Sequence, residues 1–381
     1  MMKYMLKTVK ISARQFAILV ILFSVGTTIL VIPGILAQEV KQDAWLAALI
    51  GTVIGLLIVA LYIAIVRKFP TMTLVEIIET LLGKWVGKAV SLSFVFYSFI
   101  GASELLYYVG AFLTTQLIKE TPPAAIHIIF AGILVMGVRL GLETIARSAE
   151  LLFPIFILLF LLIMFSVIVT PELWKIDNLQ PILKTGIKPM TRAVILFSSV
   201  FSLPLNIFLM IFPISVTKPK EAEKHFFSAI FIGGVCLFIL ITLTILVLGP
   251  ETSSRQLYPS YTLARRLKVG DFLQRIEAIL AIMWEITIFF KMTIYFYASI
   301  TGLVQTLNIK DYRPLVIPLG MIMVTISLVS HPNVIHSAKF DYEIWPVYAL
   351  TYGLVLPLLL LVVYIIRKLI NFDKKLFVKN E

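Results

Sequence analysis

The sequence predicts an all-α integral membrane protein that crosses the bilayer with about ten helices. Three observations predict it. Sixty per cent of the 381 residues are hydrophobic and only 14% are charged, whereas roughly a quarter of a soluble domain is charged. The apolar residues fall in runs of about 20, the length that crosses a hydrocarbon core of roughly 30 Å. The segments between the runs are too short to build a core of their own, so residues 1–381 form one polytopic domain.

The spans lie at about 14–37, 44–66, 89–118, 124–140, 150–170, 190–214, 226–249, 272–305, 313–330 and 344–367. The two long outer loops are about 171–189 and 250–271. Spans three and eight are long enough that they must tilt or project from the bilayer. The basic start MMKYMLKTVK resembles the front of a signal peptide. The apolar stretch behind it is longer than a signal's and has no small-x-small cleavage site, so it is expected to stay as the first span. Lys and Arg set the orientation. Lys3, Lys7, Lys10, Arg14, Arg67, Lys68, Arg367, Lys374, Lys375 and Lys379 share one side, while the short loops opposite hold one Lys each, Lys41, Lys119 and Lys339. Both ends are therefore expected in the cytoplasm, which requires an even number of spans.

A net charge of +12 would suggest nucleic acid in a soluble protein. Here basic residues at helix ends meet anionic headgroups, and no RNA- or DNA-binding motif is present. The lone cysteine, Cys236, permits no internal disulfide. His127, His225, His331 and His336 lack metal-ligand spacing and read as structural or interfacial. His331 and His336, five apart, do not share a helix face. No phosphate-binding loop, nucleophile elbow or zinc-protease motif occurs. No enzyme, metal or cofactor is expected.

A weak internal symmetry points to a site. Span one reads Phe23-Ser24-Val25-Gly26-Thr27-Thr28, then Pro33-Gly34. Span six reads Phe197-Ser198-Ser199-Val200-Phe201-Ser202-Leu203-Pro204-Leu205-Asn206, then Pro213. Each opens one half of the chain, about 14–170 and 190–367, and each is followed by a span with glycines (Gly51 and Gly55; Gly233 and Gly234). Paired interruptions at matching positions mark transporter-type binding sites, although ordinary proline kinks give the same pattern.

Ionisable groups inside the spans add to this, because a charge in hydrocarbon must face protein or water. Glu104 belongs to a stripe with Tyr97, Gly101 and Tyr108 on one face of span three. Lys291 shares a stripe with Trp284, Thr287, Tyr295 and Ala298 on span eight. Glu285, six residues from Lys291, is poorly placed to pair with it. By elimination Glu104 is the expected partner of Lys291, in a pair that is either structural or part of a polar path. The segment Gly141 to Glu150 contains the i,i+4 pair Glu143 and Arg147 and reads as structural.

Four segments carry a family resemblance. They are Ile11-Ser12-x-x-Gln15; Thr121-Pro122; Gly141-Leu142-Glu143-x-Ile145-Ala146-Arg147-x-x-Glu150-x-x-x-Pro154; and Tyr258-Pro259-Ser260 through Arg265, then Phe272-Leu273-Gln274-Arg275-Ile276-Glu277 and Trp284. On these the chain resembles the endospore germination permeases, the B subunits of GerA-type nutrient receptors. The resemblance implies a LeuT-like five-plus-five inverted repeat of the amino acid-polyamine-organocation transporters, with helices one and six unwound at mid-membrane. It also implies a small-molecule germinant, an amino acid foremost, bound there in the spore's inner membrane. The implied partners are a membrane-embedded A subunit and a lipoprotein C subunit. Carried over, Gly26, Thr27 and Thr28 line the break in span one, and Ser198, Ser199, Ser202 and Pro204 that in span six. Tyr97, Gly101, Glu104, Thr287, Lys291 and Tyr295 complete the expected ligand site. Span six departs from the family pattern, with Ser-Leu-Pro-Leu-Asn where relatives often have a glycine and an acid. A secondary amino acid transporter and a purely structural anchor for the other subunits are the competing readings.

Overall fold

The computed structural model describes residues 10–267 and 275–377. Lys3, Lys7, Lys379 and the Phe272-Leu273-Gln274 segment, where span eight is expected to begin, lie outside the described residues. Among the described residues the regular secondary structure is helical, apart from one isolated bridge. Eight helical stretches in it are long and apolar enough to cross a membrane. One of these, Thr28–Lys68, holds the second half of span one and all of span two; of the two shorter apolar helices, Ala13–Val25 is the first half of span one and Arg313–Val329 is span nine, which makes ten spans among the described residues. The chain is a multi-pass membrane protein.

Span one is split into α1 (Ala13–Val25) and α2 (Thr28–Val40), and span two is α3 (Ala44–Lys68). A short amphipathic helix absent from the sequence reading, α4 (Leu74–Leu82), precedes span three, α5 (Lys84–Phe112), which ends in a π-turn at Leu113–Leu117. Thr73 caps α4 through a reciprocal pair of bonds with Glu76. Spans four and five are α6 (Pro123–Leu140) and α7 (Leu142–Ile168). Only Gly141 separates them, at φ 97°, a conformation that glycine adopts without strain.

Span six is α8 (Ile187–Phe201), a 3₁₀ stretch at Leu203–Met210, and the single turn α9 (Phe212–Ser215). Span seven is α10 (Pro219–Leu248), and the following outer loop folds as α11 (Pro250–Arg255) and α12 (Pro259–Arg266). Spans eight and nine are α13 (Ile276–Leu307) and α14 (Arg313–Val329). Span ten begins earlier than predicted. It runs through α15 (Val334–Lys339), a π-turn at Phe340–Ile344, α16 (Trp345–Leu350), a second π-turn at Thr351–Val355 and α17 (Leu356–Phe377). The face that carries α11, α12 and α15 is termed the outer face, following the charge pattern.

The packing exchanges partners between the halves. α1 packs on α10, and α8 packs on α3. The small residues make this contact close: Gly51 lies against Phe197, Gly55 against Phe201, and Gly233 against Ser24. Spans three and eight, α5 and α13, form the central crossing pair.

Broken helices leave backbone groups that need partners from outside the helix, because no water in the hydrocarbon can supply them. Pro33 has no N–H for the carbonyl of Ile29, and Ser260 Oγ donates to that carbonyl at 2.7 Å. The Tyr258-Pro259-Ser260 segment thus docks where Gly34 leaves room for Pro259. In span six, Tyr62 Oη lies 2.8 Å from the Leu203 carbonyl and 2.6 Å from that of Gly353, and Asn206 Nδ2 donates to the Tyr352 carbonyl at 2.9 Å. Gly353 is required there, since a Cβ would stand 2.5 Å from the Leu203 carbonyl oxygen.

On the inner face, Ile11 N donates to the Ser215 carbonyl at 2.8 Å and Thr217 N to the Ile11 carbonyl at 3.1 Å. This strap joins the segment before span one to the segment after span six. Ser12 and Gln15 form a capping box at the start of α1, and Gln15 Nε2 reaches Glu150 Oε2 at 2.9 Å. The Glu143–Arg147 pair forms at 2.5 Å on an exposed face. Two of the resemblance segments therefore meet at the foot of span one.

Ser260→Ala is expected to lower stability in detergent by about 1–3 kcal/mol, the cost of leaving a buried carbonyl without a donor. Thermal unfolding of the purified chain checks it, and an unchanged midpoint would rule out this role for Ser260.

Candidate functional site

The break in span one is two residues long. Gly26 turns the chain with φ 13° and ψ −120°, and the helix restarts at Thr28. A Cβ on Gly26 would stand 2.5 Å from Lys291 Cδ and 2.9 Å from the Phe23 carbonyl. Glycine is needed because the stem of Lys291 crosses over it. Lys291, 2% exposed, donates to the Val200 carbonyl at 2.9 Å and to Thr27 Oγ1 at 3.3 Å. Its Nζ also lies 5.3 Å from the Phe23 ring centre. Val200 belongs to the last turn of α8, where carbonyls have no helical partner and carry the negative end of the helix dipole. One ammonium therefore ties the break in span one to the break in span six.

The expected Glu104–Lys291 pair does not form. Glu104 Oε2 lies instead 2.5 Å from His331 Nε2, and His331 Nδ1 lies 2.8 Å from His336 Nδ1. Elimination among the span charges failed for two reasons. Lys291 is satisfied by helix-end carbonyls, which a count of charges ignores. Glu104 is satisfied by a histidine from the loop before span ten. The spacing argument that kept His331 and His336 apart failed as well. His331 precedes α15 and is not on it, and Asn333 caps α15 by accepting from His336 N at 2.9 Å, which turns His336 back toward His331. The other buried histidine, His127, bonds Ser327 through Nδ1 at 2.9 Å.

A cavity of about 50 Å³ opens between spans one, three, six, eight and ten. Lys291, Thr27, Glu104 and Asp341 supply polar groups to its wall. Val31, Ile35, Leu105, Leu196 and Phe340 make the rest largely apolar. A second chamber of about 190 Å³ adjoins it, lined by Gln38, Arg255, Tyr258 and Tyr342 among others. Tyr108 and Asp341 line both chambers and are hydrogen-bonded to each other. Tyr342 is hydrogen-bonded to Gln38 at the outer rim. Burial foremost pushes the Tyr258 phenol above its ordinary pKa, so it is neutral across the physiological range.

Of the residues expected at the site, Thr27, Gly101, Glu104, Lys291 and Tyr295 line the cavity. Tyr97 sits one layer behind, stacked on Tyr352 at 4.6 Å and on Trp345 at 5.6 Å. Ser199 and Thr287 spend their hydroxyls on carbonyls of their own helices, Leu196 and Trp284, and Thr28 reaches back across the break in span one to the Ser24 carbonyl of α1, each at 2.8 Å. Ser198, Ser202 and Pro204 are buried at the break in span six, but the cavity is not lined by them. Span ten fills that break, with Trp345 Nε1 donating to the Ser199 carbonyl at 3.0 Å.

Sequence reasoning missed Asp341 and Trp345. The signal was present as Phe340-Asp341-Tyr342-Glu343-Ile344-Trp345, an aromatic run with two acids, but it fell on the predicted border of span ten. The π-turn at Phe340–Ile344 places Asp341 and Trp345 together on the cavity. Among the described residues no group of three or more His, Cys, Asp and Glu is placed to hold a metal ion.

Residues 10–335 match the family described as Spore_permease, spore germination protein. The chain belongs to this family. It is 29% identical to spore germination protein KB of Bacillus subtilis (strain 168) over 94% of its own length and 95% of that protein. It is 28% identical to spore germination protein YndE of the same organism, over 80% of its length and 83% of that protein. Its fold is similar to that of MhsT in complex with L-phenylalanine, with a TM-score of 0.58 at 14% identity over 93% of this chain and 98% of that one. It is also similar to a Na+-coupled sialic acid symporter in a substrate-bound outward-open state, with a TM-score of 0.61 at 11% identity over 89% and 76%. These likenesses establish the LeuT-like fold, with helices one and six interrupted. The family is one of membrane permease-like germination proteins and not an enzyme class.

Gly26→Ala and Lys291→Met are each expected to destabilise the chain, by about 1–3 kcal/mol. The double variant should fall short of their sum by at least about 0.5 kcal/mol, because methionine can bend away from the new Cβ. Strict additivity in chemical or thermal unfolding would show that the two residues do not press on each other.

Proposed function

We propose that this chain is the membrane-embedded, germinant-binding subunit of a spore nutrient receptor, and that its ligand is a small zwitterion, an α-amino acid foremost. The observation that supports the class of ligand is the make-up of the cavity wall. A cation, Lys291, bonded to Thr27 and Val200, and two carboxylates, Glu104 bonded to His331 and Asp341 bonded to Tyr108, line one cavity with mostly apolar side chains. A ligand carboxylate would face Lys291, its ammonium would face Glu104 and Asp341, and its side chain would meet Val31, Ile35, Leu196 and Trp345. The site residues of this reading are therefore Thr27, Gly101, Glu104, Lys291, Tyr295, Asp341 and Trp345. Gly26 and Tyr97 act from behind them.

A cavity of about 50 Å³ holds only a few waters, each of which needs roughly 10–15 Å³. An amino acid must therefore open it, and the adjoining chamber gives the direction. Parting Tyr108 from Asp341 would merge the two spaces. A ligand can drive a conformational change only as far as it binds the two states differently. Here the ligand's ammonium competes with the Tyr108 hydroxyl for Asp341, so the closed and ligand-bound arrangements differ at the same bond. The change would be passed to an A subunit in the membrane and a lipoprotein C subunit. In this reading the chain sits in the spore's inner membrane with both ends in the cytoplasm, and its two five-span halves, about 14–170 and 190–367, move relative to each other.

Transport by alternating access is the second reading, favoured by the likeness of the fold to transporter structures. The inner strap between Ile11 and the Ser215–Thr217 segment stands against it, since it must part before anything leaves inward. Accumulation of an amino acid inside liposomes containing this chain alone would favour transport.

The test is a thermal-shift screen of the purified chain against the twenty amino acids, a few sugars and nucleosides. A ligand at 100 times its dissociation constant adds about 2.7 kcal/mol. One amino acid is expected to raise the midpoint, and Gly26→Trp, whose ring must displace Lys291, is expected to abolish that shift. A shift with sugars or nucleosides alone would overturn the zwitterion reading.

A further inference from the structure

The recognition of a zwitterion leaves the outer end of the cavity unexplained. There the chain builds a continuous row of three ionisable groups. His336 is exposed on α15. Its Nδ1 lies 2.8 Å from His331 Nδ1, and His331 Nε2 lies 2.5 Å from Glu104 Oε2. The His331 side chain is 1% exposed and the Glu104 side chain 8%. Both nitrogens of His331 are engaged, one toward solvent-facing His336 and one toward the carboxylate on the cavity wall. This goes beyond an imidazole that merely satisfies an acid, for which one nitrogen would be enough.

We propose that His336, His331 and Glu104 form a proton-transfer route between the outer solution and the ligand cavity, and that Glu104 is a proton-binding site of the receptor. The step balances with no other reactant. At the start Glu104 is ionised, His331 carries its proton on Nε2 and donates to it, and His336 carries its proton on Nδ1 and donates to His331. His336 Nε2 accepts a proton from water. The Nδ1 proton of His336 passes to His331 Nδ1, and the Nε2 proton of His331 passes to Glu104 Oε2. Both imidazoles finish neutral with their tautomers exchanged, every hydrogen bond in the row is reversed, and one proton has moved from solution to the cavity wall. The reverse sequence discharges it.

The groups around the row are consistent with a neutral passage. Tyr107 sets its ring 4.7 Å from His331, and Phe340 sets its own at 5.4 Å. From the π-turn, Asp341 faces Glu104 across the cavity mouth and is bonded to Tyr108. Tyr258 backs Tyr108, and Arg255 lines the outer chamber. Lys339 on α15 is directed to Glu343 at 3.8 Å, both of them exposed. Among the described residues the one buried cation lining the cavity is Lys291, tied to Val200 and Thr27. A proton on Glu104 therefore removes the negative charge of Glu104 from the wall. Proton and ligand ammonium would compete there, each weakening the other by the same factor.

This inference does not rest on the identity of the ligand, and its test uses none. The full chain in liposomes is acidified rapidly and followed by infrared difference spectroscopy. A carboxylic-acid band is expected that is missing in Glu104→Gln. In His336→Ala the band should reach the same height but rise about tenfold more slowly or worse. The proton must then wait for a local opening, and each 1.4 kcal/mol of barrier is about a factor of ten in rate. Free imidazole in the buffer should restore the rate. His331→Gln keeps a donor on Glu104 but cannot pass a proton, and should be slow with or without imidazole. His336→Ala also takes the partner from His331 Nδ1, so its unfolding temperature is measured beside the rate, and His336→Gln, which keeps a partner there but cannot relay a proton, is expected to be as slow. An unchanged rate in His336→Ala, or a band that persists in Glu104→Gln and vanishes in Asp341→Asn, would overturn the proposal.

Discussion

One buried ammonium holds the two interrupted helices together. A charge placed among the spans costs several kcal/mol unless protein groups replace its hydration. Lys291 meets that condition with a hydroxyl, a ring face and a helix-end carbonyl, all contributed by spans one and six. The dependence runs both ways. The last carbonyls of α8 need a donor that their own helix cannot provide, and the turn at Gly26 needs something to pack across it. Without Lys291, two unpaired helix ends would face each other inside the membrane. With it, the breaks become a defined wall on which a cavity can be built.

The rest of the broken backbone is treated the same way, by donors from distant parts of the chain. Ser260 serves the carbonyl that Pro33 leaves open. Tyr62 and Asn206 join the 3₁₀ stretch of span six to the π-turn of span ten. Irregular backbone at membrane depth is tolerated where neighbouring helices supply its bonds. At the break in span six, span ten packs in through Trp345 and Gly353. The cavity accordingly leans toward spans one, three and eight, and takes its sixth-span lining from Leu196 and Val200, before the break.

How much of this could be read from the residues depends on the kind of signal. The spans were legible because twenty-residue apolar runs leave few alternatives. The two breaks were legible because Gly26 and Pro204 sit among small hydroxyl residues in mid-span. The stripe Tyr97, Gly101, Glu104 and Tyr108 was legible because helical periodicity orders side chains on a face. Pairings across helices were not. Periodicity says which side of a helix a group occupies, but not how deep a neighbour's partner lies. It has no means of counting a backbone carbonyl, such as that of Val200, as the partner of a cation. The loop from Ser330 to Lys339 defeated the reading for a related reason. Helical spacing was applied to His331 and His336 although a capped turn lies between them.

If a ligand enters by parting Tyr108 from Asp341, which are bonded and line both chambers, that contact would set the tempo of the protein. A door that opens seldom slows arrival and departure by the same factor and leaves the equilibrium untouched. Every additional 1.4 kcal/mol needed to open it multiplies the dwell time of an occupant by about ten. An occupant whose ammonium holds Asp341 must give up that bond to leave, and would outlast brief fluctuations in the medium. A dormant cell equipped with such a detector would register how long food has been present, and not only how much of it there is.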